Sequence, residues 1–112
     1  MRIIARSTLT RFLERLQGQK NYHGVKAAVD SWFKEARLAE WKNSSDVKAS
    51  YAHASIAGAD CVVFNFKGNS YRLVVAMDYR RGIVFIKWLG THAAYDKIDV
   101  RTVKYESETS PE

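Results

Sequence analysis

Three short runs rich in β-branched and aromatic residues, separated by two glycine-containing turns, constrain the fold of this chain most strongly. The runs are Cys61–Phe66, Ser70–Met77 and Ile83–Leu89. The first turn is Lys67–Asn69, with Gly at its centre, and the second spans residues 78–82 and combines Asp with Gly. Such runs suit a pleated surface, and these turn residues allow tight reversals of the chain. The sequence therefore predicts a three-stranded antiparallel meander.

The residues before this meander show the patterns of one strand and two amphipathic helices. Met1–Ala5 is an apolar run of a length that could add one strand to the sheet. A first helix is predicted after an N-cap at Ser7 or Thr8, and it is expected to end at Gly18. Its apolar residues recur at helical spacing, so one side of this helix should face a core.

The second helix is predicted from about Val25 to Trp41, where apolar residues repeat every three or four positions. Trp32 and Phe33 belong to this apolar stripe. We expect both rings to be buried between the helix and the sheet, with core packing as their role.

The remaining segments complete a prediction of fold class. Residues 42–60 are polar and are expected to form a loop with one helical turn, capped by Ser44 or Ser45, and a solvated His53. The predicted architecture is α+β: two N-terminal helices packed on one face of a twisted antiparallel sheet of three to four strands, with a short C-terminal helical turn. Residues 1–105 are expected to form one domain, followed by a flexible acidic tail at 106–112.

Charge and composition limit the classes of partner and site. The chain of 112 residues has a formal charge of +6, and 18 Lys and Arg face only nine acidic residues before position 106. This excess favours a polyanionic partner, although a basic surface also serves solubility alone. A single cysteine, Cys61, excludes an internal disulfide and a Cys-rich zinc site. With no apolar run of membrane-spanning length and no signal-peptide pattern, we expect a cytoplasmic protein that uses no metal or cofactor.

Side-chain alternation in the first hairpin predicts which polar residues share a face. A two-residue turn at Gly68 and Asn69 would place Asn65 opposite Arg72. One face of the sheet would then be apolar and pack on the helices. The other would bring together Asn65, Lys67 and Arg72 at the turn end.

The third strand contains one charge, Lys87, whose position depends on the second turn. If that turn closes on Tyr79 and Arg80, Lys87 lies opposite Arg72 on the open face. Two opposed cations repel unless an anion lies between them, which favours a phosphate site. A longer turn through Arg80 and Arg81 would change this register, and two solvated cations on an exposed sheet are the alternative.

The titratable residues are concentrated directly after the third strand. His92 is followed within one turn by Tyr95, Asp96 and Lys97. The chain has no glycine-rich phosphate loop, no metal-spaced cluster and no nucleophile motif. Arg, Lys, His and Tyr suffice for RNA cleavage without a metal, because they supply a base for the 2′-hydroxyl, cations for the phosphate and an acid for the leaving oxygen.

Three ordered blocks of the sequence resemble the HigB family of bacterial toxins, within the RelE-like superfamily. The first block is the tryptophan-containing helix that includes Trp32. The second reads VVFNFKGNSYRLV and the third reads GTHAAYDKI. The likeness extends from Val25 to Asp99 and leaves out the acidic tail.

This resemblance implies the toxin of a type II toxin–antitoxin pair. Such a toxin is a ribosome-dependent mRNA endonuclease that inhibits translation and leaves a 2′,3′-cyclic phosphate or a 3′-phosphate. Its partners would be the ribosome, mRNA and a helix-turn-helix antitoxin (HigA-like), with operator DNA contacted only through the antitoxin.

The motifs and the sheet pattern together nominate two sets of site residues. The predicted catalytic residues are Arg72, His92, Tyr95 and Lys87. The predicted RNA-binding residues are Lys67, Asn65, Arg80, Arg81 and Lys97. A non-catalytic basic module that binds RNA or protein fits the composition and patterning equally well, and a degenerate toxin that acts only as a repressor subunit is a third alternative.

Overall fold

A sheet flanked by helices organises the chain in this computed structural model, which describes residues 1–58, 60–68 and 70–98. The elements, in chain order, are β1 (Arg2–Ile4), α1 (Arg6–Leu16), α2 (Tyr22–Leu38), α3 (Ser44–Ser50), β2 (Ser55–Ala57), β3 (Cys61–Phe66), β4 (Tyr71–Asp78), β5 (Ile83–Thr91) and α4 (His92–Tyr95). The fold is α+β, as predicted. The predicted boundary at residue 105 and the acidic tail at 106–112 lie outside the described residues.

The sheet differs from the prediction in strand number and direction. It has five strands in the order β1-β5-β4-β3-β2. β1 is parallel to β5 and the other pairs are antiparallel, so the sheet is mixed rather than antiparallel. β2 arises within the segment predicted to be a loop, where Ser55 pairs with Val63. A three-residue edge strand is too short to produce an alternating pattern, and an apolar run does not reveal its partner's direction.

The helices were predicted in the correct places but with different ends. α1 begins at Arg6, after Ala5 in a left-handed conformation with φ 71°, so neither Ser7 nor Thr8 is its N-cap. α2 begins at Tyr22 and ends at Leu38, where Ala39 becomes extended. The N-terminal ammonium donates hydrogen bonds to carbonyls at the end of α2, which joins β1 to this helix.

Further along, α3 is capped by Asn43, whose side chain accepts a hydrogen bond from the Asp46 amide, rather than by Ser44 or Ser45.

The core lies between the helices and one face of the sheet. Trp32 is 1% exposed and meets Phe64 edge to face, with ring centroids 5.4 Å apart. Phe33 is only partly buried, and the Arg6 guanidinium covers its ring at 4.4 Å. The prediction for Trp32 is confirmed, while that for Phe33 is wrong in part because successive helical residues point about 100° apart.

The first hairpin has the predicted register, and its strand residues lie on the predicted faces, whereas Lys67 in the turn does not. Asn65 lies opposite Arg72, and Phe66 opposite Tyr71. The apolar face packs on the helices through Phe64, Phe66, Tyr71, Leu73, Val75 and Met77. The opposite face is not simply open, because Val63 and Val74 form a second buried cluster covered in part by Trp88 and Tyr95.

The second hairpin has a different register from the one that placed Lys87 opposite Arg72. Val75 pairs with Ile86 and Val74 with Trp88, so Lys87 is an extra residue in a β-bulge. Gly90 is the residue opposite Arg72. The turn includes four residues, and Gly82 takes a positive φ of 71° at its end.

No helix in the described part of the chain combines the length and apolar character needed to cross a membrane.

Candidate active site

The ends of β4 and β5 bring the predicted arginine and histidine together. Arg72 is the second residue of β4, and His92 directly follows β5. Because Tyr71 pairs with Thr91, the His92 amide donates to the Ser70 carbonyl at 2.9 Å. Arg72 Nη2 lies 2.9 Å from His92 Nδ1. The structure therefore brings together two side chains that are 20 residues apart in the sequence.

A short helical turn orients the imidazole. The Thr91 hydroxyl accepts a hydrogen bond from the Ala94 amide and caps α4 at its start. His92 and Asp96 are four residues apart on this turn, and His92 Nε2 lies 3.3 Å from Asp96 Oδ2. The side chains are 42% and 61% exposed, respectively, so a ligand can reach both.

The contacts of the imidazole indicate which of its two ring nitrogens carries the proton. A guanidinium donates hydrogen bonds and accepts none, so His92 Nδ1 must present its lone pair to Arg72. The neutral ring then carries its proton on Nε2, beside the Asp96 carboxylate. This arrangement places an unprotonated ring nitrogen next to a cation, and a carboxylate behind the ring that stabilises an imidazolium.

Two aromatic rings pack in series against one face of the Arg72 guanidinium. The Arg72 guanidinium lies over the Tyr95 ring, 4.8 Å from its centroid. Tyr95 in turn packs on Trp88, with ring centroids 6.2 Å apart. Stacking on an aromatic face fixes the plane of a guanidinium without using its N–H donors. Tyr95 is therefore part of the same constellation as Arg72 and His92.

Asn65 also belongs to this end of the sheet. It lies opposite Arg72, and its Nδ2 donates to the His53 carbonyl at 3.0 Å. Its Oδ1 is buried and has no hydrogen-bond partner among the described residues. The Asn65 side-chain amide thus links the loop before β2 to the candidate site. The His53 side chain is exposed, as predicted.

Lys67 does not share the face of Arg72. It takes a left-handed conformation with φ 52° in the turn after β3. Its side chain lies against Gly24 of α2, so that a Cβ at Gly24 would meet Lys67 Nζ at 2.8 Å. The strand alternation that placed Lys67 beside Arg72 ends at Phe66 because the positive φ redirects the next side chain.

The other predicted cations differ in their distance from Arg72. Lys87 lies close enough to Cys61 to influence its thiol, which places it further along the face than Arg72. Arg80 and Arg81 follow the far end of β4, an eight-residue strand, so about 20–25 Å separates them from Arg72. They cannot contact the same phosphate. Lys97 directly follows Asp96 and is exposed at the site.

Three residues of the candidate site were not predicted from the sequence. Asp96 was noted in the motif but given no role, although its i,i+4 spacing from His92 in a helical turn was a usable signal. Trp88 and Gly90 depend on the β-bulge, which no sequence pattern indicated. A Cβ at Gly90 would lie 2.6 Å from the Trp88 ring, so glycine allows the indole to lie under Tyr95.

Within the described ranges, no three His, Cys, Asp or Glu side chains meet in a way that could hold a metal ion.

Comparison with known families finds a match over most of the chain. The model of a family described as HigB_toxin, RelE-like toxic component of a toxin-antitoxin system, matches residues 25–98. This range covers more than half of the chain and contains Arg72, His92, Tyr95 and Asp96. No individual curated protein matches the chain.

Proposed function

The chain belongs to the HigB toxin family, the RelE-like toxic components of toxin–antitoxin systems, and from this premise we propose that it is a ribosome-dependent mRNA endonuclease. The family implies an antitoxin partner and ribonuclease activity in general. The finer proposal is that it cleaves translated transcripts by attack of the 2′-hydroxyl, without a metal ion, and so stops translation. Its antitoxin would be a HigA-like helix-turn-helix protein, and its site of action the cytoplasm.

The observation that carries this proposal is the contact between Arg72 Nη2 and His92 Nδ1, with Tyr95 beneath the guanidinium. A cation with planar donors, a ring nitrogen with a lone pair and an aromatic surface are the groups needed to hold a phosphate, accept a proton and stack a base. They meet at one partly exposed position at the end of the sheet.

The proposed reaction uses each group at a defined atom. An incoming phosphate replaces His92 as a hydrogen-bond acceptor of Arg72, which frees Nδ1 to take the proton of the 2′-hydroxyl. The 2′-oxygen forms a bond to phosphorus as the bond from phosphorus to the 5′-oxygen breaks, leaving a 2′,3′-cyclic phosphate. Arg72 stabilises the negative charge that develops on the phosphorane.

The second proton transfer completes this step. The leaving 5′-oxygen takes a proton from imidazolium or from Tyr95, and Asp96 stabilises the imidazolium through Nε2. Asn65 and Lys97 are proposed to contact the same nucleotide, and Lys87 a phosphate further along the face. Lys67 lies against α2, and Arg80 and Arg81 follow the far end of β4, so none of the three is proposed to contact this nucleotide.

The test is cleavage of ribosome-bound mRNA by the purified protein, mapped by primer extension in the presence of EDTA. Arg72→Ala and His92→Ala should abolish most cleavage while keeping the fold, as judged by circular dichroism. Lys34→Ala is the matched control, because Lys34 is an exposed cation in the middle of α2 and should retain parent activity. RNA binding without scission by the parent protein would support the non-catalytic module instead.

A further inference from the structure

A second concave surface lies at the end of the sheet opposite Arg72 and His92. This basic groove has a volume of about 580 Å³. We define it by its cations, which come from β1, the end of α2, the segment after α2 and the β4–β5 turn: Arg2, Arg37, Lys42, Arg80 and Arg81. Elements far apart in sequence thus contribute charges of one sign to one groove.

The cations of the basic groove have little internal compensation. Among the described residues, no ion pair joins Arg2, Arg37, Lys42 or Arg80 to an acidic side chain. Arg81 is 77% exposed, and its Nε is 3.8 Å from Asp78 Oδ2, a weak surface pair. Glu40 is the single acid among the described residues that line the groove. Uncompensated charges so close together favour a ligand with several negative charges.

An apolar pocket of about 320 Å³ continues directly from the basic groove. The two share Ala39 and Trp41 in their walls. Leu38, on the rim of this apolar pocket, is 76% exposed, which is unusual for a large aliphatic side chain at the end of a core helix. The acid in this pocket, Glu35, accepts a hydrogen bond from Tyr51.

The residues of the basic groove and the apolar pocket indicate whether single-stranded RNA or an acidic protein segment would bind there. Single-stranded RNA is held by phosphate contacts and by exposed aromatic rings on which bases stack. Trp41 is 5% exposed and packs against Phe64, and the other rings in these walls, Tyr51 and Tyr79, are partly buried against the core, so the walls offer a base no fully exposed ring. An exposed leucine beside cations offers nothing to a phosphate backbone, but it complements an apolar side chain flanked by carboxylates.

We propose that the basic groove and the apolar pocket together bind an acidic, amphipathic segment of a partner protein. Carboxylates of the segment pair with the groove cations, and one of its large aliphatic residues packs on Leu38 in the pocket. The surface lies a sheet length away from His92, so binding here and cleavage there are separately measurable. The docking surface stands on these contacts and does not depend on RNA cleavage by the protein.

The experiment titrates the full ¹⁵N-labelled chain with a synthetic helical peptide of about 16 residues that has Glu and Leu on adjoining faces. A peptide of scrambled order and a single-stranded RNA oligonucleotide serve as competing probes. The designed peptide should shift the amide resonances of Arg37, Leu38, Lys42 and Arg80. The scrambled peptide should bind about tenfold more weakly, because it separates the acids from the leucines.

Two variants and one control complete this test. Arg80→Glu should weaken binding of the designed peptide by about tenfold or more at low salt. Leu38→Ala should weaken peptide binding without changing the weak binding of RNA. Lys20→Glu makes the same change of charge as Arg80→Glu, just before the start of α2, and should leave peptide affinity unaltered. Equal losses of peptide affinity in Lys20→Glu and Arg80→Glu would overturn the proposal. So would shifts of the Arg37, Leu38, Lys42 and Arg80 resonances that RNA causes and the peptide does not.

Discussion

Gly90 lies directly opposite Arg72 across the β4–β5 ladder. It occupies this position because Lys87 is an extra residue in β5, which shifts every later pair by one place. The shift ends the ladder at Thr91, so that His92 begins the next turn within reach of the Arg72 guanidinium. A bulge of one residue thus sets the geometry of the candidate active site.

Gly90→Ala should destabilise the protein because the new Cβ would lie 2.6 Å from the Trp88 ring. The expected cost is about 1–3 kcal/mol, measured by urea denaturation. Gly24→Ala is the matched control: there the new Cβ meets the mobile end of Lys67, and alanine favours the helix. Equal stability of the Gly90→Ala variant and the parent would mean that the indole moves without loss.

Arg72→Ala should lower the rate of cleavage of ribosome-bound mRNA on the order of 10²–10³-fold, because it removes the cation that stabilises the developing charge. Binding to the ribosome should change much less, since many other cations contribute to it. Single-turnover cleavage and sedimentation with ribosomes measure the two effects separately. A parallel loss of both would identify Arg72 as a binding residue alone.

His92→Gln keeps a side chain that accepts a hydrogen bond from Arg72 but cannot take part in acid–base chemistry. Cleavage should fall and the pH dependence of the remaining rate should change. The pH–rate profiles of the parent and the variant, recorded on the same ribosomal complex, provide the measurement. Cleavage at the parent rate would exclude histidine catalysis and leave Tyr95 as the better candidate.

Trp32→Ala should cost ~3–5 kcal/mol of unfolding free energy, because the ring is buried against Phe64. Phe33→Ala is the comparison within the same helix, and it should cost clearly less since Phe33 is only partly buried. Chemical denaturation of both variants provides the measurement. A larger loss for Phe33→Ala would contradict the assignment of these two faces.

Burial raises the pKa of the Cys61 thiol, although nearby Lys87 opposes this effect. The native thiol should therefore react slowly with a disulfide reagent at neutral pH and rapidly once the chain is unfolded in urea. The unfolded chain loses this proton near pH 9.0 while the folded chain still holds it, so stability should fall as the pH rises above that value. A Cys61→Ala variant should show a smaller fall.

The local sequence pattern alone was sufficient to predict the strand pairing of the first hairpin. Alternation of side chains and a tight turn predicted that Asn65 faces Arg72 and that Phe64 and Leu73 share the core face. Helical spacing also located the stripe that buries Trp32. These properties depend on residues close together in sequence. The side-chain repeat of a strand or of a helix follows directly from the backbone geometry of that element.

The sequence by itself thus determined the α+β class, the strands of the meander and the family. Tertiary structure alone decided the parallel pairing of β1, the bulge at Lys87 and the redirection of Lys67 toward α2. Each of these depends on contacts between distant segments, and a one-residue change in register moves every later side chain in a strand to the other face. The meeting of Arg72 with His92 depends on that register, so no local pattern could give its distance.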